Sequence, residues 1–270
     1  MRIREAIPIV LLLPIFGFIA YQVVDDRIES ERQRAAEAMA RAPIEDSDQP
    51  AAAAGEGDPS PVTESAGNSE SATTIPAPAR DIDDILKQVR ESGRTTYLGE
   101  IIAERDSGLA RWHDRVDNPL HIWVADGSAL AGWNPKYPDR VREAFDIWAL
   151  SGIPVKFTYV RDSVDADVLV QWVDHFDAPI TGRTLWKRDR NWWIVDGSIT
   201  IALHHTTGEA LDEPAIRAIA LHEAGHLLGL DHCADTANIM TPKVRVRDLT
   251  EADRATMRLL YFLPPGSLKH

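Results

Sequence analysis

Apolar positions fall along this chain in three regimes. Residues 6–24 carry no charge and are almost wholly apolar, and a helix of that length is just long enough to cross a bilayer. Residues 43–80 are the reverse, built from Pro, Ala, Ser, Gly, Thr and acidic residues with almost no large apolar side chain. Such a segment buries too little surface to offset its ordering entropy. From Asp81 onward apolar residues recur at regular periods over about 190 residues, enough for one well-cored domain.

Within that last regime the periods alternate. Ile82, Ile85, Leu86 and Val89 repeat at helical spacing, so residues 81–108 are expected to be helical, either packing on the domain or forming a small pro-segment. Leu120 to Val124 reads as a first strand. Val141, Ala144, Phe145 and Trp148 then form a helical stripe after Pro138, closed by Gly152. Val155 to Val160 alternates like a second strand and Val168 to Val173 like a buried third. Asp196-Gly197 is a hairpin signal, although Gly197 equally fits a bulge in one long strand. A helix follows, with Asp212 or Glu213 as cap, Pro214 in its first turn and Ile216, Ile219, Ala220 and Leu227 as its stripe. Thr250 and Asp253 form a capping box that opens a last helix ending near Tyr261. The order predicts an α/β fold, a mixed twisted sheet with helices packed on it.

Charge and composition add an address. Arg2 and Arg4 should keep residues 1–5 in the cytoplasm. Residues 6–24 then form an uncleaved signal anchor, because no small-x-small cleavage site follows them. Residues 25–80 become a tether with a short solvated helix in 27–41, residues 109–263 a domain on the periplasmic or extracellular face, and 264–270 a tail. The expected partner of the first helix is a lipid bilayer. A formal net charge of −13 argues against nucleic acid as a partner. The single cysteine, Cys233, excludes an intrachain disulfide and is expected to be a free thiol. Oligomeric state is not legible.

Candidate chemistry is concentrated in His222-Glu223-Ala224-Gly225-His226-Leu227-Leu228-Gly229-Leu230-Asp231-His232. On a helix, His222 and His226 project from one face on successive turns and can grip one ion. Glu223 is rotated by about 100° from His222, beside the metal without being forced to ligate it. That is where a general base for an activated water should stand. Gly229 supplies the left-handed turn that ends the helix, so His232 can fold back as third ligand. Three protein ligands leave a fourth position open, as in catalytic rather than structural zinc sites.

This run resembles the extended zinc motif, HExxHxxGxxH, of the metzincin zinc endopeptidases and, within them, of the matrixins. Asn238-Ile239-Met240-Thr241-Pro242 resembles their Met-turn. The resemblance covers roughly Leu109 to Phe262. It implies an α+β metzincin fold with a small C-terminal subdomain holding the Met-turn and the final helix. It also implies one catalytic zinc on His222, His226 and His232, Glu223 as base, Met240 beneath the ligands, and a polypeptide substrate. Gly182 to Trp186 would be the edge strand beside the cleft, which places Thr184 and Leu185 on one wall and Pro242 and Val244 on the other. Between Pro242 and Val246 the alternation turns Val244 and Val246 one way and Lys243 and Arg245 the other; inward valines are expected, since burying unpaired cations is costly.

Other candidates are weaker. His175 and Asp177 resemble a structural-metal segment of animal matrixins, but the further histidines such a site needs are missing. His204-His205 reads as a solvent-facing loop. Asp162, Asp165 and Asp167 offer oxygen ligands for calcium, although acidic loop residues are usually just solvated. No cysteine precedes the zinc motif, so the latency device of secreted matrixins is absent. A tethered binding protein on an inactive metzincin fold is the rival reading, disfavoured because the base and all three ligands are intact.

Overall fold

Alternating β-branched and aromatic positions build a five-stranded sheet whose strands are β2 (Arg115–Val124), β3 (Val155–Tyr159), β4 (Val168–Val173), β5 (Gly182–Arg188) and β6 (Ile194–Ala202). A short β1 (Gly108–Leu109) precedes them. The computed structural model describes residues 75–269 apart from 77 and 106. The expected membrane span at 6–24 and the tether up to residue 74 lie outside the described residues. Among the described residues no helix is long and apolar enough to cross a membrane.

The sheet runs β3-β2-β4-β6-β5, with β2 parallel to β3 and β4, β4 parallel to β6, and β5 antiparallel on β6. β5 is therefore an edge, and one row of its backbone groups has no strand partner among the described residues. Buried Leu120, Ile122, Val168, Val170, Ile199 and Ile201 form the sheet's share of the core. Helices α1 (Ile82–Ser92), α2 (Leu98–Glu104), α3 (Tyr137–Ala149), α4 (Glu213–Leu227) and α5 (Glu251–Phe262) complete the fold. α3 and α4 pack on each other through Trp148, whose indole N–H donates to the Leu221 carbonyl at 2.8 Å.

Of the two readings of Asp196-Gly197, the hairpin does not form and the long strand does, with β6 passing through both residues. The reversal lies at Asp189 to Trp193, where the Asp189 carboxylate accepts the backbone N–H groups of Asn191 and Trp193. Gly197 has a different purpose, since a Cβ there would strike Leu227 of α4. The sequence shows a turn-forming dipeptide; the structure uses the missing side chain to let the helix approach the sheet. The irregularity in the ladder is nearby, with Lys187 paired to Asp196 and Arg188 to Ile194, so Val195 is the extra residue.

Residues 81–108 pack on the domain. Leu98 and Ile101 of α2 are fully buried. β1 pairs antiparallel with β7 (Gly266–Ser267), and Arg80 donates to the carbonyls of Pro265 and Ser267. The residues expected to be a free tail thus close a small second sheet with the start of the domain.

Candidate metal centre

α4 begins and ends on strong local signals. The Asp212 side chain accepts from the Ala215 N–H, and Pro214 sits in the first turn. At the other end the Leu230 N–H bonds the Gly225 carbonyl and the Gly229 N–H bonds that of His226, the paired bonds of a Schellman turn. Gly229 has φ +107°, and a Cβ on it would collide with the Ala110 carbonyl. No other residue fits there, and the chain turns back towards the helix face.

That turn brings three imidazoles together. Nε2 of His226 lies 3.0 Å from Nε2 of His222 and 3.3 Å from Nε2 of His232. The Nδ1 atoms of His222 and His226 sit 2.8 and 3.1 Å from the carbonyl oxygens of Ile239 and Leu230. Carbonyls only accept, so both Nδ1 atoms carry the proton and both Nε2 atoms present bare lone pairs. Burial pushes the His222 imidazolium down to about 4 and that of His226 well below its ordinary value. Neutral lone pairs this close repel unless a cation lies between them. A tetrahedral zinc with bonds of about 2.0–2.1 Å needs ligand nitrogens about 3.3 Å apart, so the donor set fits zinc.

Glu223 stands next to this group and is not part of it. The convergent metal-capable set among the described residues is His222, His226 and His232. The Glu223 side chain is buried between α4 and β5, where Gly182 leaves it space, because a Cβ there would strike the carboxylate. The Thr184 hydroxyl reaches a Glu223 carboxylate oxygen at 2.6 Å and the Glu223 backbone carbonyl at 3.0 Å. Burial pushes the carboxyl up to about 8, against the opposing pull of the Thr184 bond and the Arg183 charge.

A family model described as matrixin matches residues 134–262. Metalloendoproteinase 1-MMP of Arabidopsis thaliana is 35% identical over 141 residues, covering 44% of this chain and 36% of its own length. Metalloendoproteinase 1 of Glycine max is 34% identical over 95 residues, covering 34% and 29% respectively. This chain carries a matrixin-like metzincin catalytic domain. It spans about a third of the length of the curated relatives it matches.

In this matrixin-like domain Met240, at the position expected for the Met-turn, is fully buried, and its sulfur fills the space that a side chain on Gly225 would need. Its carbonyl accepts the Cys233 N–H at 3.0 Å, which ties the Met240 segment to the residue after His232. Cys233 is a buried free thiol outside the metal group, pushed up to about 12 by burial.

The four expected cleft residues divide. β5 alternates Gly182, Thr184 and Trp186 inward with Arg183, Leu185 and Lys187 outward. Thr184 therefore does not line an open wall; its side chain lies inside, on Glu223. Leu185 is exposed on the opposite face of the strand. Val244 and Val246 pack against the core while Lys243 and Arg245 are exposed, but Pro242 leaves the valine face and is exposed too. The segment is not a strand, so two-residue alternation does not carry back to Pro242.

Elsewhere the polar groups have other work. His204 is not a free loop residue, since its Nδ1 sits 2.9 Å from Asp174, whose other oxygen lies 2.7 Å from Nδ1 of His175. Asp162 caps the short 3-10 turn at Ser163–Asp165. Asp167 accepts the His121 N–H and lies 3.4 Å from Arg115. The carboxylates of Asp162 and Asp167 are thus engaged with backbone and arginine, and among the described residues they are not part of the convergent metal-capable group. The sequence offered no sign of two further contributors, Glu100 and Arg105, which reach the His232 loop from over 120 residues away.

Proposed function

We propose that the chain is a zinc-dependent endopeptidase that hydrolyses peptide bonds with Glu223 as general base. The observation that supports it best is the convergence of three histidine Nε2 atoms beside a buried carboxylate that is not among them. His222, His226 and His232 would hold the ion. When bound, zinc supplies Lewis-acid polarisation of the scissile carbonyl and acidifies water.

The protein's own residues do the rest. The Nδ1 bonds to Ile239 and Leu230 fix the tautomer and plane of two ligands. Glu223 takes the proton of the attacking water and returns it to the leaving amine nitrogen. Burial strengthens the hold of this carboxylate on the proton it carries between the two transfers. Thr184 holds the carboxylate in place. The unpaired edge of β5 offers backbone donors and acceptors to an extended substrate. Val244 and Val246, packed on the core, favour a large apolar residue just after the scissile bond. Residues 6–24 would anchor this domain at the membrane, facing away from the cytoplasm.

Purified Glu223→Ala is expected to keep about one zinc per chain while peptide hydrolysis falls by at least ~100-fold. Undiminished turnover would overturn the mechanism, and loss of zinc together with activity would make Glu223 a ligand. Zinc-loaded wild type that cleaves no member of a diverse peptide library would favour the binding-protein reading. The anchor is tested by protease access to residues 43–80 in sealed membranes of known orientation; a soluble mature protein would refute it.

A further inference from the structure

The loop that carries His232 is gripped from outside the zinc motif. Arg105, the residue that ends α2, is almost fully buried, its side chain 8% exposed. Its guanidinium donates to the Gly229 carbonyl at 2.8 Å, the Leu230 carbonyl at 3.1 Å and the Asp231 carboxylate at 3.1 Å. It lies 5.3 Å from the ring centre of Trp186 on β5. Two of these acceptors are also partners of the histidines, since the Leu230 carbonyl takes the His226 Nδ1 proton and the second Asp231 oxygen takes the His232 N–H. On the far side of His232, the Glu100 carboxylate of α2 accepts the Ala234 N–H at 2.8 Å.

We infer that Arg105 is a positioning residue of the metal centre, setting the path of residues 229–232 so that His226 and His232 meet at one ion. The inference rests on the zinc reading above and extends it to a residue upstream of the family-matched stretch, 134–262. Geometry favours a specific role over general packing. Three acceptors spread over consecutive residues match the planar fork of a guanidinium, and a lysine ammonium on a flexible stem cannot satisfy all three. Two of the three acceptors are partners of the histidines, and disturbing such outer-shell contacts typically lowers metal affinity by roughly 10- to 100-fold.

The test is zinc affinity of the full chain, measured by chelator competition for wild type, Arg105→Met, Arg105→Lys and Ile85→Ala. Ile85 is a buried apolar residue of α1 and controls for loss of packing. Wild type should bind one zinc tightly; if it does not, the zinc reading itself fails. With wild type binding, Arg105→Met should lose roughly 10- to 100-fold in affinity relative to Ile85→Ala, and Arg105→Lys should lose less. The visible spectrum of Co(II)-loaded Arg105→Met should shift from that of wild type, reporting altered ligand geometry, whereas Ile85→Ala should leave it in place. If Arg105→Met does not fold, Arg105→Lys is judged by the same two readouts. Affinity within about threefold of Ile85→Ala together with an unchanged cobalt spectrum would overturn the inference.

Discussion

At the scale of single residues the site is a set of compromises between burial and charge, and pH exposes them. Burial lifts Glu223 to about 8, so between roughly pH 4.5 and 8 the folded metal-free chain holds a proton that the unfolded chain has released. That contribution to stability is complete below the unfolded value and is lost as pH rises through the window. His222, lowered to about 4, has the opposite slope; its contribution is present above about 6.5 and is lost as pH falls towards 4. Above pH 6.5 only the Glu223 slope of this pair remains. Chelator-treated wild type is therefore expected to lose up to about 2 kcal/mol between pH 6.5 and 8, while Glu223→Gln stays nearly flat. Urea unfolding at the two pH values checks this, and parallel behaviour of the two chains would contradict it. Thr184 predicts a second contrast. Thr184→Val should lower kcat by about tenfold with little change in KM, the scale of one lost bond to a charged partner, and Thr184→Ser should restore most of it. Steady-state kinetics on one fluorogenic peptide decides between them.

At the scale of elements, what was legible in the sequence is what local chemistry dictates. The caps of α4 and α5, the stripe of α3 and the left-handed turn at Gly229 each arise from residues within one or two turns of each other. So do the three histidines and Glu223, because HExxH needs only helical geometry and His232 follows from the turn at Gly229. What escaped is non-local. Asp196-Gly197 fits a turn and a long strand equally until Leu227 is seen against it, and Thr184 reads as cleft wall until the edge strand's alternation turns it onto Glu223. Arg105 gave no signal because its acceptors lie 124 to 126 residues downstream. Gly229 shows how much one local element carries. Gly229→Ala adds a strained φ and a clash with the Ala110 carbonyl, so it should cost about 2–3 kcal/mol and weaken zinc binding with it. Thermal unfolding with and without zinc measures both losses, and a fully stable, zinc-competent variant would show that the loop has another path.

At the scale of the whole molecule, metal and fold are one equilibrium. Zinc binding the folded chain at a thousandfold excess over its dissociation constant adds about 4 kcal/mol, so chelation should lower the midpoint of thermal unfolding by several degrees. A midpoint indifferent to chelator would mean that the ion does not bind the native state. The fold also settles where the domain's two ends emerge. β1 pairs with β7 and Arg80 grips the carbonyls of Pro265 and Ser267, so the strand that enters the domain and the strand that leaves it lie side by side. Chain order is then a matter of convention at that corner. Joining residue 269 to residue 78 through about six Gly/Ser residues, and reopening the chain at the exposed Gly208 turn between β6 and α4, gives a circular permutant with the same contacts. Such a permutant should fold and bind zinc as tightly as the natural order, with its new ends beside the metal helix and its old ones sealed.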